Sequence, residues 1–251
     1  MTKRILVTGM SGLIGGAVRK RLEGRYQLTA LNRSQVPGVP TVQADIAEFE
    51  AIRPAFEDQH TVVHLAASAR GRDPWERVRD PNLIGTYNVF EAARQAGVRR
   101  VVYASSGSTV SGWEQVQPYR ALVSGDYDMV MKPWPMVTHE TPVRPTGVYG
   151  ATKVWGEALA WHFTDSSDMS VICLRIGLVN QEDRPTDARQ FSVWCSQRDI
   201  SQMVERCIEA PPELKFDLFY AVSRNKWGYR DISHARAVVG YDPQDEAETY
   251  R

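Results

Sequence analysis

Two hydrophobic rhythms alternate along the chain. Short apolar runs at 4–9 (RILVTG), 26–33 (YQLTALNR), 61–67 (TVVHLAA), 98–106 (VRRVVYASS) and 170–177 (SVICLRIG) have the length and Val/Ile/Leu content of strands covered on both faces. Between them, residues 13–24 (LIGGAVRKRLEG), about 74–96 and about 147–165 carry the 3.6-residue periodicity of amphipathic helices, the first closing on a glycine. Strands alternating with helices predict an α/β fold built on a parallel sheet with right-handed crossovers. The stretch 107–146 breaks the alternation and is too long for an ordinary connection. Its Trp113, Tyr119, Trp134 and scattered methionines predict a packed lid or contact surface.

Composition narrows the picture. The chain has 251 residues, enough for one large α/β domain with a full core. Thirty acidic and thirty basic side chains balance, leaving no net field to attract nucleic acid or an anionic membrane surface. Cys173, Cys195 and Cys207 are odd in number, lack CxxC spacing and sit in apolar contexts, so they read as buried thiols of a reducing cytoplasm. No apolar stretch approaches the length of a membrane span, and the five histidines lack ligand spacing, so no metal is expected.

Candidate chemistry begins at the first strand's end. In TGMSGLIGG, Gly9, Gly12 and Gly15 stand between a strand and a helix, where glycines permit a tight turn and close approach of backbone to a pyrophosphate, and the helix N-terminus supplies dipole and free N–H groups. This predicts a dinucleotide site. The second strand ends in Leu31-Asn32-Arg33-Ser34, without the carboxylate that selects NAD. Arg33 and Ser34 could hold a 2′-phosphate, which favours NADP over NAD; alternatively Arg33 is a solvated loop charge. Asp45 either reaches the adenine or caps the following helix. Tyr149 and Lys153, four apart on one helical stretch, are either an acid/base couple or neighbours on one face.

TGMSGLIGG, ADI, VVHLAA, NLIGTYNVFEAA (82–93), VVYASS and YGATK occur in the order and at the separations that mark a family. On them the chain resembles, over nearly its full length, the extended short-chain dehydrogenase/reductases, also called the NAD-dependent epimerase/dehydratase family. The resemblance implies a Rossmann-type doubly wound parallel sheet, residues 1–176 forming mainly the dinucleotide-binding core and 177–251 a small C-terminal substrate-binding portion. It implies that Gly9, Ser11, Gly12, Leu13, Ile14, Asp45, Ile46, Leu65, Ala66, Ala67, Asn82, Tyr149 and Lys153 surround the cofactor, with Ile176 on the nicotinamide side and Asn82 in support. DPWERVRDPNLIGT, VRPTGVYGATKVWGEALA, VICLRIG, VWCSQRDISQMVERCIEAP and ARAVVGYDPQDEAE look like the subgroup of uronate dehydrogenases and archaeal glucose-6-phosphate dehydrogenases, which oxidise a sugar at carbon 1. One departure stands out: where that subgroup shows Ser-Ser-Asn-His, this chain has Ser105-Ser106-Gly107-Ser108, losing two side chains expected to bond substrate. Arg175 matches an arginine expected to face substrate; alternatively it pairs with a surface carboxylate.

In this reading Tyr149 is the base, acidified by Lys153, and Ser106 positions the reacting oxygen. Ser68 touches substrate or caps a turn. The expected activity is NAD(P)-dependent oxidation of an aldose, uronate or sugar phosphate to its lactone. The alternatives are a nucleotide-sugar epimerase or dehydratase that recycles its NAD, and a non-catalytic NADP-sensing protein. Family habit implies a homodimer or higher homo-oligomer through the helices at 74–96 and 147–165, to which the apolar stripe Val154, Leu159, Trp161 and Phe163 would contribute, if it is not core.

Overall fold

A computed structural model describes residues 2–69 and 74–251; Asp73, at the head of the DPWERVRDPNLIGT motif, lies outside the described residues. The strands are β1 (Arg4–Thr8), β2 (Gln27–Asn32), β3 (Thr41–Gln43), β4 (Thr61–His64), β5 (Arg100–Ser106), β6 (Ser170–Ile176) and β7 (Phe216–Ala221). The helices are α1 (Leu13–Leu22), α2 (Phe49–Ile52), α3 (Trp75–Arg79), α4 (Gly85–Gln95), α5 (Tyr119–Ser124), α6 (Val148–Ser166), α7 (Gln190–Val193), α8 (Gln197–Ile208) and α9 (Ser233–Val239).

All seven strands join one parallel sheet in the order β3-β2-β1-β4-β5-β6-β7. The order reverses beside β1, which pairs with β2 on one side and β4 on the other, and such a reversal opens a crevice at the carboxyl ends of the strands. Side chains alternate across the sheet. Ile5, Val7 and Val63 pack with Val18 and Leu22 of α1 and Met203 and Cys207 of α8. Leu6, Val62 and Tyr103 pack with Val89 and Phe90 of α4 and Leu159 and Phe163 of α6. The three cysteines are free and buried in these two layers.

The structure corrects several expectations. Within residues 177–251, α8 covers the sheet and β7 extends it, pairing with β6 from Val171↔Phe216 to Ile176↔Ala221. The helix expected at 74–96 is α3 and α4 joined by a π-helical turn, Asp80–Ile84, in which the Gly85 N–H reaches the Asp80 carbonyl. Pro81 supplies the reason, having no N–H for the regular ladder. The stripe on α6 divides: Leu159 and Phe163 are core, whereas Trp161 is half exposed and stacks on Phe216 at 3.7 Å. The stretch 107–146 is packed in part, with Met129 and Met131 exposed. It opens with a 3₁₀ segment, Gly107–Gln115, and with α5 buries a third apolar cluster of Val110, Tyr119, Leu122, Val137, Val193, Tyr220 and Tyr229.

Candidate active site

The glycine loop adopts the geometry its residues allow. Gly9 has φ of +72°, and a Cβ there would lie 2.9 Å from the Ala66 backbone, so β1 and the segment after β4 approach too closely for any side chain. Gly15 lets α1 close on the loop, since its Cβ would come 2.5 Å from the Gly9 carbonyl. Thr8 ties the two strand ends together: its Oγ1 accepts from the Leu65 and Ala66 N–H groups, both at 3.1 Å, and pairs with His64 Nδ1 at 2.8 Å. Burial, helped by the Lys153 charge, lowers the His64 pKa to about 3, so the ring stays neutral. The first turn of α1 carries no acidic residue, so its orphan N–H groups and positive dipole end face the cleft unopposed.

A single cleft of about 1200 Å³ runs from this loop across the strand ends. Gly9, Ser11, Gly12, Leu13, Ile14, Asn32, Arg33, Ser34, Asp45, Ile46, Leu65, Ala66, Ala67 and Ser68 line its first half. Ser106, Gly107, Ser108, Tyr149, Lys153 and Ile176 line its second. The fit to a dinucleotide shows in the side chains as well as the glycines. Asn32 donates to Ser11 Oγ at 2.6 Å, while its buried Oδ1 has no partner, an acceptor suited to a ribose hydroxyl. Arg33 and Ser34 are exposed at the lip beyond it. Asp45 lines the cleft and also accepts the Ala47 N–H at 3.0 Å; it closes an Asx turn and does not cap α2, which starts at Phe49.

Two predicted residues fall outside the cleft lining. Asn82 sits buried in the π-helical turn, where its amide accepts from Ser68 N at 2.8 Å and donates to Ser68 O at 3.0 Å and Thr152 Oγ1 at 3.1 Å. It clamps the segment after β4 to α6. Arg175 does not face the cleft. It is 3% exposed and points toward α6, where Nε and Nη2 grip Glu157 at 2.9 Å each and Nη1 reaches Tyr220 Oη at 3.0 Å. Ser105 joins the same carboxylate at 2.6 Å. The carboxylate Arg175 pairs with is therefore buried, not on the surface.

Tyr149, Lys153 and Ser106 converge. All three line the same stretch of the cleft, and the Ser106 hydroxyl accepts the Ser108 N–H at 3.1 Å. Burial raises the phenol pKa, and the neighbouring Ser106 hydroxyl draws it partly back. Lys153, expected to acidify the phenol, has its Nζ 5.8 Å from the Tyr149 ring centroid and engaged by the Ala104 carbonyl at 2.8 Å. Burial brings Lys153 itself down to about 8.

Three charged residues of the far end were not predicted. Arg189 and Arg230 line the cleft, and Glu114 holds both. Arg189 lies just before α7, Glu114 in the 3₁₀ segment and Arg230 after β7, in stretches without periodicity. The one available signal was the Gly107–Ser108 departure, since side chains lost from a polar site are replaced from elsewhere.

With this geometry in view, comparisons with known proteins are specific. The chain is 32% identical to the NAD-dependent glucose-6-phosphate dehydrogenase of Haloferax volcanii, over 100% of this chain and 96% of that one. It is 31% identical to the L-arabinose 1-dehydrogenase (NAD(P)(+)) of the same organism, over 98% of both. The crystal structure of uronate dehydrogenase from Agrobacterium tumefaciens superposes with a TM-score of 0.83 at 30% identity, covering 100% of this chain and 87% of that one. Residues 5–192 match the NAD dependent epimerase/dehydratase family, and the chain belongs to it.

Proposed function

We infer that the protein is an NAD(P)-dependent dehydrogenase that oxidises a sugar at carbon 1 to the lactone. The observation that carries this reading is the Ser106–Tyr149–Lys153 cluster standing in the same cleft as the glycine cradle. Relatives matched over 87–98% of their own length, and named as sugar 1-dehydrogenases or dehydrogenases of sugar acids and sugar phosphates, support it. The nicotinamide, when bound, supplies the hydride acceptor. Tyr149 takes the proton of the carbon 1 hydroxyl, and Ser106, beside it in the cleft lining, orients that hydroxyl toward it. Lys153, fixed at the end of β5 by the Ala104 carbonyl, holds positive charge within reach of the developing phenolate. A nucleotide-sugar epimerase needs room for a diphosphate, and with α8 and β7 committed to the sheet little of 177–251 is left to provide it. Growth of reduced-cofactor absorbance in proportion to free sugar consumed tests the reading; tightly retained cofactor with no such growth would instead indicate a recycled-cofactor reaction.

The phenol must be ionised to accept a proton, and its pKa is raised, so its active fraction grows about tenfold per pH unit through neutrality. Lys153 is needed protonated and loses its charge from about 8 upward. The expected profile of kcat/KM for oxidation rises from pH 6 and bends near pH 8. Initial rates across pH 6–10 check this, and a flat profile around neutrality would show the phenol already ionised there.

The cofactor preference proposed is NADP. Asn32 Oδ1 can accept from a ribose hydroxyl of either cofactor, while Arg33 and Ser34 offer charge-assisted hydrogen bonds only to the 2′-phosphate. Arg33→Ala is expected to raise KM for NADP about tenfold or more and to move KM for NAD less than about threefold. Steady-state titration of both cofactors decides it. The half-exposed Tyr87 of α4 and Trp155 and Trp161 of α6 support a homodimer through these helices.

A further inference from the structure

Gly107 follows the serine that positions the reacting oxygen, and it makes room for a cation. A Cβ on Gly107 would overlap the guanidinium of Arg230, so any other residue there expels that group. Arg230 is otherwise fixed: its chain is bridged to Val137, whose N–H bonds the Tyr229 carbonyl at 2.7 Å and whose carbonyl accepts the Asp231 N–H at 3.0 Å. The side chain is 3% exposed yet lines the cleft.

Its hydrogen bonding is incomplete. Nη2 makes three long contacts, to the Gly107 carbonyl at 3.3 Å and to Glu114 Oε1 and Tyr229 Oη at 3.4 Å each, and Nε has no partner. Glu114 is occupied elsewhere: Arg189 grips it through Nε at 2.6 Å and Nη2 at 2.8 Å, and Tyr229 donates to it at 2.6 Å. Glu114 thus sets one negative charge against two arginines, gripped at short range by Arg189 and only at 3.4 Å by Arg230, and the cluster keeps one surplus positive charge. A buried cation with an unfilled donor is costly unless a ligand completes it, and a carboxylate or phosphate oxygen does so at short range.

We propose that Arg230 is a specificity-determining residue that receives the anionic group, carboxylate or phosphate, of the sugar oxidised in this cleft. The proposal rests on the dehydrogenase reading above. Gly107 and Arg230 together substitute a cation for the neutral side chain that would otherwise follow Ser106, and Glu114 sets how much of the cluster's charge is free.

The test uses the wild-type protein, Arg230→Gln and Gly107→Asn. For each, kcat/KM is measured with galacturonate, glucose 6-phosphate, galactose and glucose, and calorimetry in the presence of NADPH measures binding of the two anionic sugars without turnover. NADPH affinity serves as the check on folding. Loss of one charge-assisted contact predicts that the ratio of kcat/KM for the preferred anionic sugar to that for its neutral counterpart falls about 10- to 100-fold in both variants, with its binding weakened to match. Which acid binds more tightly identifies carboxylate or phosphate as the group. An equal loss for anionic and neutral sugars, leaving the ratio unchanged, would overturn the proposal and leave Arg230 a packing residue. If no sugar is oxidised but an anionic sugar binds in an Arg230-dependent way, the dehydrogenase reading fails and the anion site stands. Absence of binding by either anionic sugar to the wild type overturns the site.

Discussion

Tyr149→Phe is expected to lower kcat for sugar oxidation by about 10³- to 10⁴-fold, the upper part of what a positioned general base contributes. The substitution removes one oxygen and leaves the ring, so the packing of α6 and the cleft wall persist. Ser106 keeps the Ser108 N–H as a donor to its own oxygen. Cofactor affinity, measured by fluorescence titration, should change little, because the loop around Gly9 and the Asn32–Ser11 pair are distant from the phenol along the cleft. A variant retaining a tenth of the wild-type kcat would mean that another group takes the proton. Cofactor affinity falling in step with kcat would point to a disturbed fold.

Removing Glu157 should cost more stability than any other single change discussed here. Its carboxylate is 6% exposed, receives both 2.9 Å bonds from Arg175 and accepts the Ser105 hydroxyl at 2.6 Å. Glu157→Leu strands the Arg175 cation inside the protein, and breaking such a buried pair costs about 3–5 kcal/mol. For a chain of this length that corresponds to a fall of about 10 °C in Tm. Glu157→Leu combined with Arg175→Met removes both charges and should recover much of the loss, since well-packed apolar replacements of buried pairs are often neutral. Scanning calorimetry of the three variants checks this; a double variant no more stable than Glu157→Leu would show that the tie to Ser105 and Tyr220 matters more than the charges.

The same pair illustrates what the sequence disclosed and what it withheld. The parallel sheet, the glycine loop and the Tyr149–Lys153 spacing are local patterns, because a strand, a turn and a helical turn each express their chemistry within a few residues. Arg175 was misplaced on one point of parity. Successive strand residues face opposite sides, so on β5 and β6 Ala104, Leu174 and Ile176 face one layer while Tyr103, Ser105, Cys173 and Arg175 face the other. Ser105 and Arg175 are register partners and share Glu157, and Tyr220 on β7 is the next partner across. Counting in twos along β6 from Cys173 puts Arg175 on the face that packs against α6. No such count finds Arg230, Arg189 or Glu114. They meet only through the third apolar cluster, which joins 107–146 to the segments after β6 and β7, and long-range packing of irregular chain has no period to read.

The π-helical turn at Asp80–Ile84 makes chain length itself informative. A regular helix advances about 100° per residue, so accommodating one extra residue rotates everything before it relative to everything after it by about that angle. Before the turn, Glu76 and Arg77 are presented to the cleft; after it, Val89 and Phe90 are presented to the core. An unbroken helix of one phase could not aim both sets correctly. Pro81 thus acts as an angular offset between entrance and interior, and a relative one residue shorter in this segment would carry a differently oriented doorway on the same sheet.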